Sequence, residues 1–505
     1  MLDIFKCIFN FPKTLFDRYF RQTSSFIIGI MIILSGFYAL NSFNLDITEH
    51  LNATYLVSIG EVPYKDFFEH HNPLMWYILS PFISMFNRSI IIFEFSSLLA
   101  LMTNILSLYI MYRINADFLY DKKTAVLGCV FGFAIPLLWE DVATLRPDIF
   151  MIATALLGIY NIFLYLKNHK LKNLVISYLC MSFSFLFLQK IVSLLFGFAL
   201  ANLWLIYQKR IKVKDFAISV AVALLPLILY GIYLWETDSW KEYFYYNWIF
   251  MNYLRQYYDN CSNLGGLFYG IMYFNMFCML NEYRKEDCYL ILLMSVMSMF
   301  GALLLFAPHI QYVFPFILIT TASSANFFLK YLRNYTFVYY VIFAGLLCNI
   351  YLFIPKDREL LDDYFAKIQY IIDNTTSEDD VFSTYPYTLY NKNTDYYWFG
   401  FANVVILDIL HNDKRNFDFE EIVMRKRPKF LVLVSYYDNI SKCHLKWFIE
   451  RNQLIFKRAK GNVNAPIMEN VVWPEFNFWK IDEKILTGKY REISPMSGIW
   501  QRIDD

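Results

Sequence analysis

A succession of apolar runs long enough to cross a bilayer, joined by loops that keep returning basic residues to one side, constrains this chain more than any other feature. Hydrocarbon about 30 Å thick is crossed by about 20 helical residues. Runs approaching that length lie near residues 26–43, 89–112, 124–139, 148–166, 173–188, 191–207, 216–235, 264–280, 288–306, 310–329 and 335–354. They predict a mainly α, polytopic membrane protein with about eleven transmembrane helices. A chain of 505 residues that is 57% hydrophobic and 18% charged is too apolar for an ordinary soluble enzyme. Its net charge of +1 gives no concentrated basic face, so no nucleic-acid partner is expected.

Where the positive charges fall sets the orientation. Arg113, Lys122 and Lys123, then Lys167, Lys170 and Lys172, then Lys209, Arg210, Lys212 and Lys214, then Arg284 and Lys285, then Lys330 and Arg333 share the side of Lys6, Lys13, Arg18 and Arg21. By the positive-inside rule that side is cytoplasmic. The amino terminus is then inside a multi-pass protein of the cell (inner or plasma) membrane. The loops Asp46–Pro81, Trp139–Asp148 and Trp235–Leu264 and the carboxy-terminal region lie outside. Crossing at Asn72–Phe86 would invert every later basic loop, so that apolar stretch reads as a helix at the interface. The first run follows basic residues without a small-residue cleavage site and reads as an uncleaved anchor. Four of the eight cysteines, Cys129, Cys180, Cys278 and Cys348, sit in apolar runs as packing residues. Cys261 and Cys443 are both expected outside, and no C-x-x-C spacing occurs.

After Pro355 the composition turns charged, which divides the chain into a membrane module, 1–355, and an extracytoplasmic α/β domain, 356–505. Leu360, Leu361, Tyr364, Phe365, Ile368, Ile371 and Ile372 recur at helical spacing and predict an amphipathic helix docking on a sheet. DDVFSTY and KFLVLVS read as strands, with a helix FEEIVMRKR before the second. A helix HLKWFIERN and a terminal strand GIWQRI complete the unit. It has no G-x-G-x-x-G, so an interaction or lid role is the default.

The chemistry concentrates in the first outer loop, 44–88. Asp46 and Glu49 are three apart, and His50 and Ala53 continue the same face if the loop enters a helix. Two carboxylates aimed one way can deprotonate or orient a hydroxyl nucleophile, as acyl or glycosyl transfer requires. Asp66, Glu69, His70 and His71 add density that solvated polar residues alone do not explain. Glu69, His70 and His71 suit divalent ions as ligands, but adjacent histidines on a helix do not both face one ion. Hydrogen bonding to a substrate or to the loop is therefore preferred.

The residues D46-x-x-E49-H50, GEVPYKDFF with Gly60, Pro63, Tyr64 and Asp66, and EHHNPLMWY resemble the first extracytoplasmic loop of bacterial GT-C glycosyltransferases that use polyprenyl-phosphate sugars. These are relatives of protein O-mannosyltransferases and of the aminoarabinose transferase acting on lipid A. The resemblance implies a GT-C fold, with Asp46 as catalytic carboxylate. Relatives often carry a second acid beside it; here that position is Ile47, which leaves Glu49 as the near carboxylate. His50, Tyr64, Lys65, Asp66, His70 and His71 join as substrate-binding candidates.

TLRPDIF is also similar to the family pattern, with Arg146 to bind phosphate and Asp148 to fix it, or the two as a structural ion pair. Lys190, between two apolar runs, is placed on a short outer hairpin beside lipid headgroups, where it binds lipid phosphate or snorkels. His309 and Tyr312 open the tenth run where the family often has a residue reaching the donor. Arg255 lies in an outer loop rich in tyrosine and tryptophan, most of which read as an interfacial belt.

The resemblance thus implies transfer of a monosaccharide from a polyprenyl phosphate to a hydroxyl of a lipid, glycan or protein, with Asp46 as base and inversion. Partners are the lipid-linked donor, the acceptor and membrane lipids. Fixed cations can meet the charge of a lipid phosphate, so no cofactor is required, a divalent metal being the open alternative. Oligosaccharyl transfer from a pyrophosphate-linked donor with a metal, and a lipid or sugar transporter, are the other readings. The last would need charge along a path near the midplane.

Overall fold

The computed structural model describes residues 20, 22, 24–34, 36, 45–134, 144–250, 263–282, 285–305, 314–332, 340, 342–345, 347, 358–383, 387–392, 394, 396, 419–432, 488–493 and 499–503. Helix underlies each expected apolar run as far as it is described, and 335–354 falls mostly outside. Among the described residues, four helices have the length and apolarity to cross a membrane: Ile91–Leu119, Pro147–Asn168, Gln189–Tyr207 and Val213–Glu236. Leu171–Phe187 and Leu74–Phe86 are shorter apolar helices. Leu74–Ile83 is ten residues long, in keeping with a segment that does not cross.

The helices pack through small residues. Ser177 donates to the Gly158 carbonyl (2.7 Å) across the hairpin of Pro147–Asn168 and Leu171–Phe187, and Ser182 to the Ala223 carbonyl (2.7 Å) of Val213–Glu236. Thr321 in Phe314–Phe327 donates to the Gly128 carbonyl (2.8 Å) of Lys122–Ala134. Gly197 lies so close to helix Glu286–Leu305 that an added Cβ would stand 2.5 Å from the Met294 carbonyl oxygen. Apolar groups gain nothing by leaving lipid, so such close backbone approach holds a membrane bundle together. Leu224, Leu225, Ile228, Leu229 and Ile232 stay exposed on Val213–Glu236, as a lipid-facing surface requires.

The carboxy-terminal strands form one mixed sheet in the order β1-β2-β4-β3. β1 (Val381–Ser383) runs parallel to β2 (Phe430–Val432), with helix Phe419–Lys426 between them in sequence; β4 (Ile499–Arg502) is antiparallel to both β2 and β3 (Tyr490–Glu492). Helix Arg358–Asp373 buries Tyr364, Ile368, Ile371 and Ile372 as its periodicity predicts. It faces two ways: Tyr370 meets Phe430 of the sheet, while Phe365 packs edge-on against Phe93 of Ile91–Ile114. The expected helix HLKWFIERN lies outside the described residues.

Candidate active site

The loop does enter a helix, Leu45–Ser58, with Asp46 in its first turn, where a carboxylate complements the helix dipole. Asp46, Glu49, His50 and Ala53 share one face. Thr48, Asn52 and Tyr55 share the opposite one, which the carboxy-terminal region covers. There Tyr364 donates to Thr48 (2.9 Å), Asn52 donates to the carbonyls of Leu389 (3.2 Å) and Asn391 (3.3 Å), and Tyr55 meets Tyr390 edge-on.

A tight turn follows. Tyr64 sits in the left-handed region at φ 70°, unusual for a side chain of that bulk. It is held there by its own N–H to the Phe67 carbonyl (3.0 Å) and by Tyr396, whose hydroxyl donates to the Tyr64 carbonyl (2.7 Å). Lys65 and Asp66 are exposed, and Asp66 accepts from the Val62 N–H (2.7 Å), so both belong to the turn's surface. The Tyr64 ring is buried against Tyr230 and Tyr243, and its hydroxyl donates to the His71 carbonyl (2.5 Å). Tyr243 and Tyr246 thus pack beneath the loop rather than in an interfacial belt, Tyr246 against Phe68.

Residues 69–72 run without helix, pinned by groups distant in sequence. Gln189 donates to the His70 carbonyl (2.6 Å) and accepts from the Asn72 N–H (3.2 Å), while Asn72 donates to the Phe185 carbonyl. The expectation that a helix separates His70 from His71 does not hold, because Asn72-Pro73 delays the helix to Leu74. The side chains of Glu49, Glu69, His70 and His71 converge, each offering a ligand atom within 4.8 Å of the others.

Arg146 stands in extended conformation just before Pro147 opens its helix. One guanidinium nitrogen pairs with Asp46 (3.0 Å), and its Nε with Asp148 (3.2 Å). Lys190 occupies a one-turn helix, Gln189–Ile191, and is 7% exposed. It sits in the short turn between Leu171–Phe187 and Val192–Tyr207, as expected, but its side chain is buried near this cluster rather than set beside headgroups, and its charge acts on Glu49, His50 and His71. Burial pushes the Glu49 and Glu69 carboxyls well up, helped for Glu49 by the charges of Glu69 and Asp46. Burial, with the nearby cations, pushes His50 and His71 down. His50 Nδ1 accepts from the Trp76 indole (3.4 Å), which fits a neutral ring. Asp46 is the acid within reach of a substrate: its side chain is 19% exposed, whereas Glu49 is 2% and Glu69 0% exposed.

The structure therefore brings Asp46, Glu49, Glu69, His50, His70, His71, Arg146, Asp148 and Lys190 into one site. Arg255, His309 and Tyr312 lie outside the described residues. Sequence reasoning missed Gln189, Trp76 and Arg88. Gln189 had a signal, a second polar residue beside Lys190 between two apolar runs. Arg88 donates to Tyr390, Thr375 and Asn391 at the base of the loop and carried none.

Residues 70–235 match the family described as dolichyl-phosphate-mannose-protein mannosyltransferase, a segment that holds His70, His71, Arg146, Asp148 and Lys190 and begins after Asp46 and Glu49. Among solved structures the chain is similar to ArnT from Cupriavidus metallidurans bound to undecaprenyl phosphate. The identity is 10% and the TM-score 0.52, over 72% of this chain and 83% of that one. The oligosaccharyltransferase of Archaeoglobus fulgidus, in complex with Zn and sulfate, has 11% identity over 80% of this chain and 67% of that one. The TM-score there is 0.44. No curated protein matches the chain.

Proposed function

We propose that the chain is a GT-C superfamily glycosyltransferase, as the family match and the fold support, and that it moves a monosaccharide from a polyprenyl phosphate to a hydroxyl acceptor on the extracytoplasmic side of the cell membrane. The observation that carries this reading is the Asp46–Arg146 pair, an acid within reach of substrate joined to a cation beside a buried polar cluster. ArnT is a fold neighbour with undecaprenyl phosphate bound, which supports a donor of that class.

In the proposed reaction the acceptor oxygen attacks the anomeric carbon as its proton passes to the Asp46 carboxylate, a contribution of about 10²–10⁴ in rate. The bond from that carbon to the phosphate oxygen breaks, and the electron pair leaves with the polyprenyl phosphate. Arg146 and Lys190 meet the charge that develops there. Arginine suits this place because its planar fork can serve a carboxylate and a phosphate together. One displacement inverts the anomeric carbon. Placement of the amino terminus in the cytoplasm and the carboxy-terminal domain outside rests on the basic loops.

The test is release of polyprenyl phosphate from a panel of polyprenyl-phosphate sugars by purified protein in lipid, wild type beside Asp46→Asn. Turnover by wild type alone is expected, with both proteins inserted and folded. Equal turnover by Asp46→Asn would remove Asp46 from the reaction, and no release from any donor would favour a pyrophosphate-linked donor or transport.

A further inference from the structure

We infer that Glu49, Glu69, His70 and His71 form a binding site for one divalent transition-metal ion, Zn²⁺ the best fit, which ties the catalytic helix to the loop segment beside it. Two carboxylates and two imidazoles are a donor set for such an ion rather than for Mg²⁺ or Ca²⁺, which prefer oxygen throughout. Four protein ligands also complete a closed tetrahedral site. With bonds of about 2.0–2.2 Å the ligand atoms of such a site stand about 3.4 Å apart. Here they already lie within 4.8 Å of one another, so small side-chain rotations close the shell.

A further observation points to a ligand. Glu49 Oε1 and Glu69 Oε1 are buried without a hydrogen-bond partner, on side chains 2% and 0% exposed. Buried carboxylate oxygens are ordinarily satisfied, and a cation between them would satisfy both.

The surroundings are those of a metal site. Gln189 and Tyr64 hold the carbonyls of His70 and His71, which fixes the backbone that carries two ligands. Because Glu49 belongs to the helix of Asp46 and the other three to the loop, the ion would cross-link them and hold Asp46 in place. The coordination rests on geometry, and only the part given to Asp46 rests on the proposed reaction.

The test is elemental analysis of protein purified through a tag without histidine, stripped with chelator and refilled with Zn²⁺, Mn²⁺ or Mg²⁺. Wild type should retain about one Zn²⁺ per chain and gain several degrees in Tm on refilling. Glu69→Gln and His71→Gln should each lower affinity at least about tenfold, and Asp46→Asn should bind as wild type does. Refilled wild type holding less than about a tenth of an ion per chain, with no change in Tm, overturns the inference. So does Zn²⁺ lost in Asp46→Asn yet kept in Glu69→Gln, which would move the ion to the catalytic acid. Neither readout involves a sugar donor, so failure of the donor panel leaves this result standing, and the reverse.

Discussion

Removing Arg146 should impair transfer and folding for separate reasons that a second substitution can divide. Its guanidinium pairs with Asp46 at 3.0 Å and Asp148 at 3.2 Å, and Asp148 is 2% exposed. Arg146→Ala leaves a buried carboxylate without that cation, which costs about 3–5 kcal/mol of stability. Asp148→Asn removes the stranded charge, so Arg146→Ala/Asp148→Asn should recover most of the lost Tm. Activity should not recover. Deleting one fixed donor from the place where leaving-group charge develops costs about 2.7–4 kcal/mol, a fall of about 10²–10³ in kcat/KM for the donor, along with a raised apparent donor requirement. Arg146→Lys keeps a charge but not the fork that spans two carboxylates, and should fall between. The assay is polyprenyl phosphate release in liposomes across donor concentrations, with Asp148→Asn alone as the reference. A double variant within about threefold of that reference would refute an electrostatic role for Arg146 in the reaction and leave it a structural ion pair.

Two other variants probe the frame of the site. Arg88→Ala strips the donors to Tyr390, Thr375 and Asn391 and should cost about 2–4 kcal/mol, read as a lower Tm and earlier proteolysis after residue 358; an unchanged Tm would mean the two regions do not brace each other. Gly197→Ala places a Cβ 2.5 Å from the Met294 oxygen and should cost about 1–3 kcal/mol, whereas Gly231→Ala, with nothing within 4 Å, should leave Tm unchanged or raise it. Equal effects at the two glycines would mean that the helices shift apart at Gly197 without cost.

What the sequence disclosed follows the range of the forces involved. Apolar runs, including the short ones of β1, β2 and β4, are written in neighbouring residues, and these elements appear where they were expected. β3 was missed because three residues, Tyr490–Glu492, carry too little periodicity to register. The reading of Glu69, His70 and His71 failed on one local point, since a helix was assumed where Asn72-Pro73 forbids it. Lys190 was set beside headgroups because hydropathy cannot distinguish a turn exposed to them from one folded over buried acids. The Asp46–Arg146 pair spans about a hundred residues, and the Asn52–Leu389 bond more than three hundred, separations at which a single sequence holds no signal.

The two faces of helix Leu45–Ser58 set the carboxy-terminal region directly behind the proposed base, a connection that distance in sequence conceals. At 100° per residue, Asp46, Glu49, His50 and Ala53 cluster within about 100° of arc, and Thr48, Asn52 and Tyr55 lie nearly opposite. The second set is held by Tyr364, Leu389, Asn391 and Tyr390, so these contacts fix the helix in rotation as well as in position. A slip of one residue would turn Asp46 through about 100° and separate it from Arg146. Asp46 lies in the first turn, where helices fray. Arg146 steadies it in front, and the carboxy-terminal region holds its helix from behind. Loss of the rear support by Arg88→Ala should accordingly lower kcat more than it raises the donor KM, because the cations that meet the phosphate stand on other helices, whereas the base stands on this one.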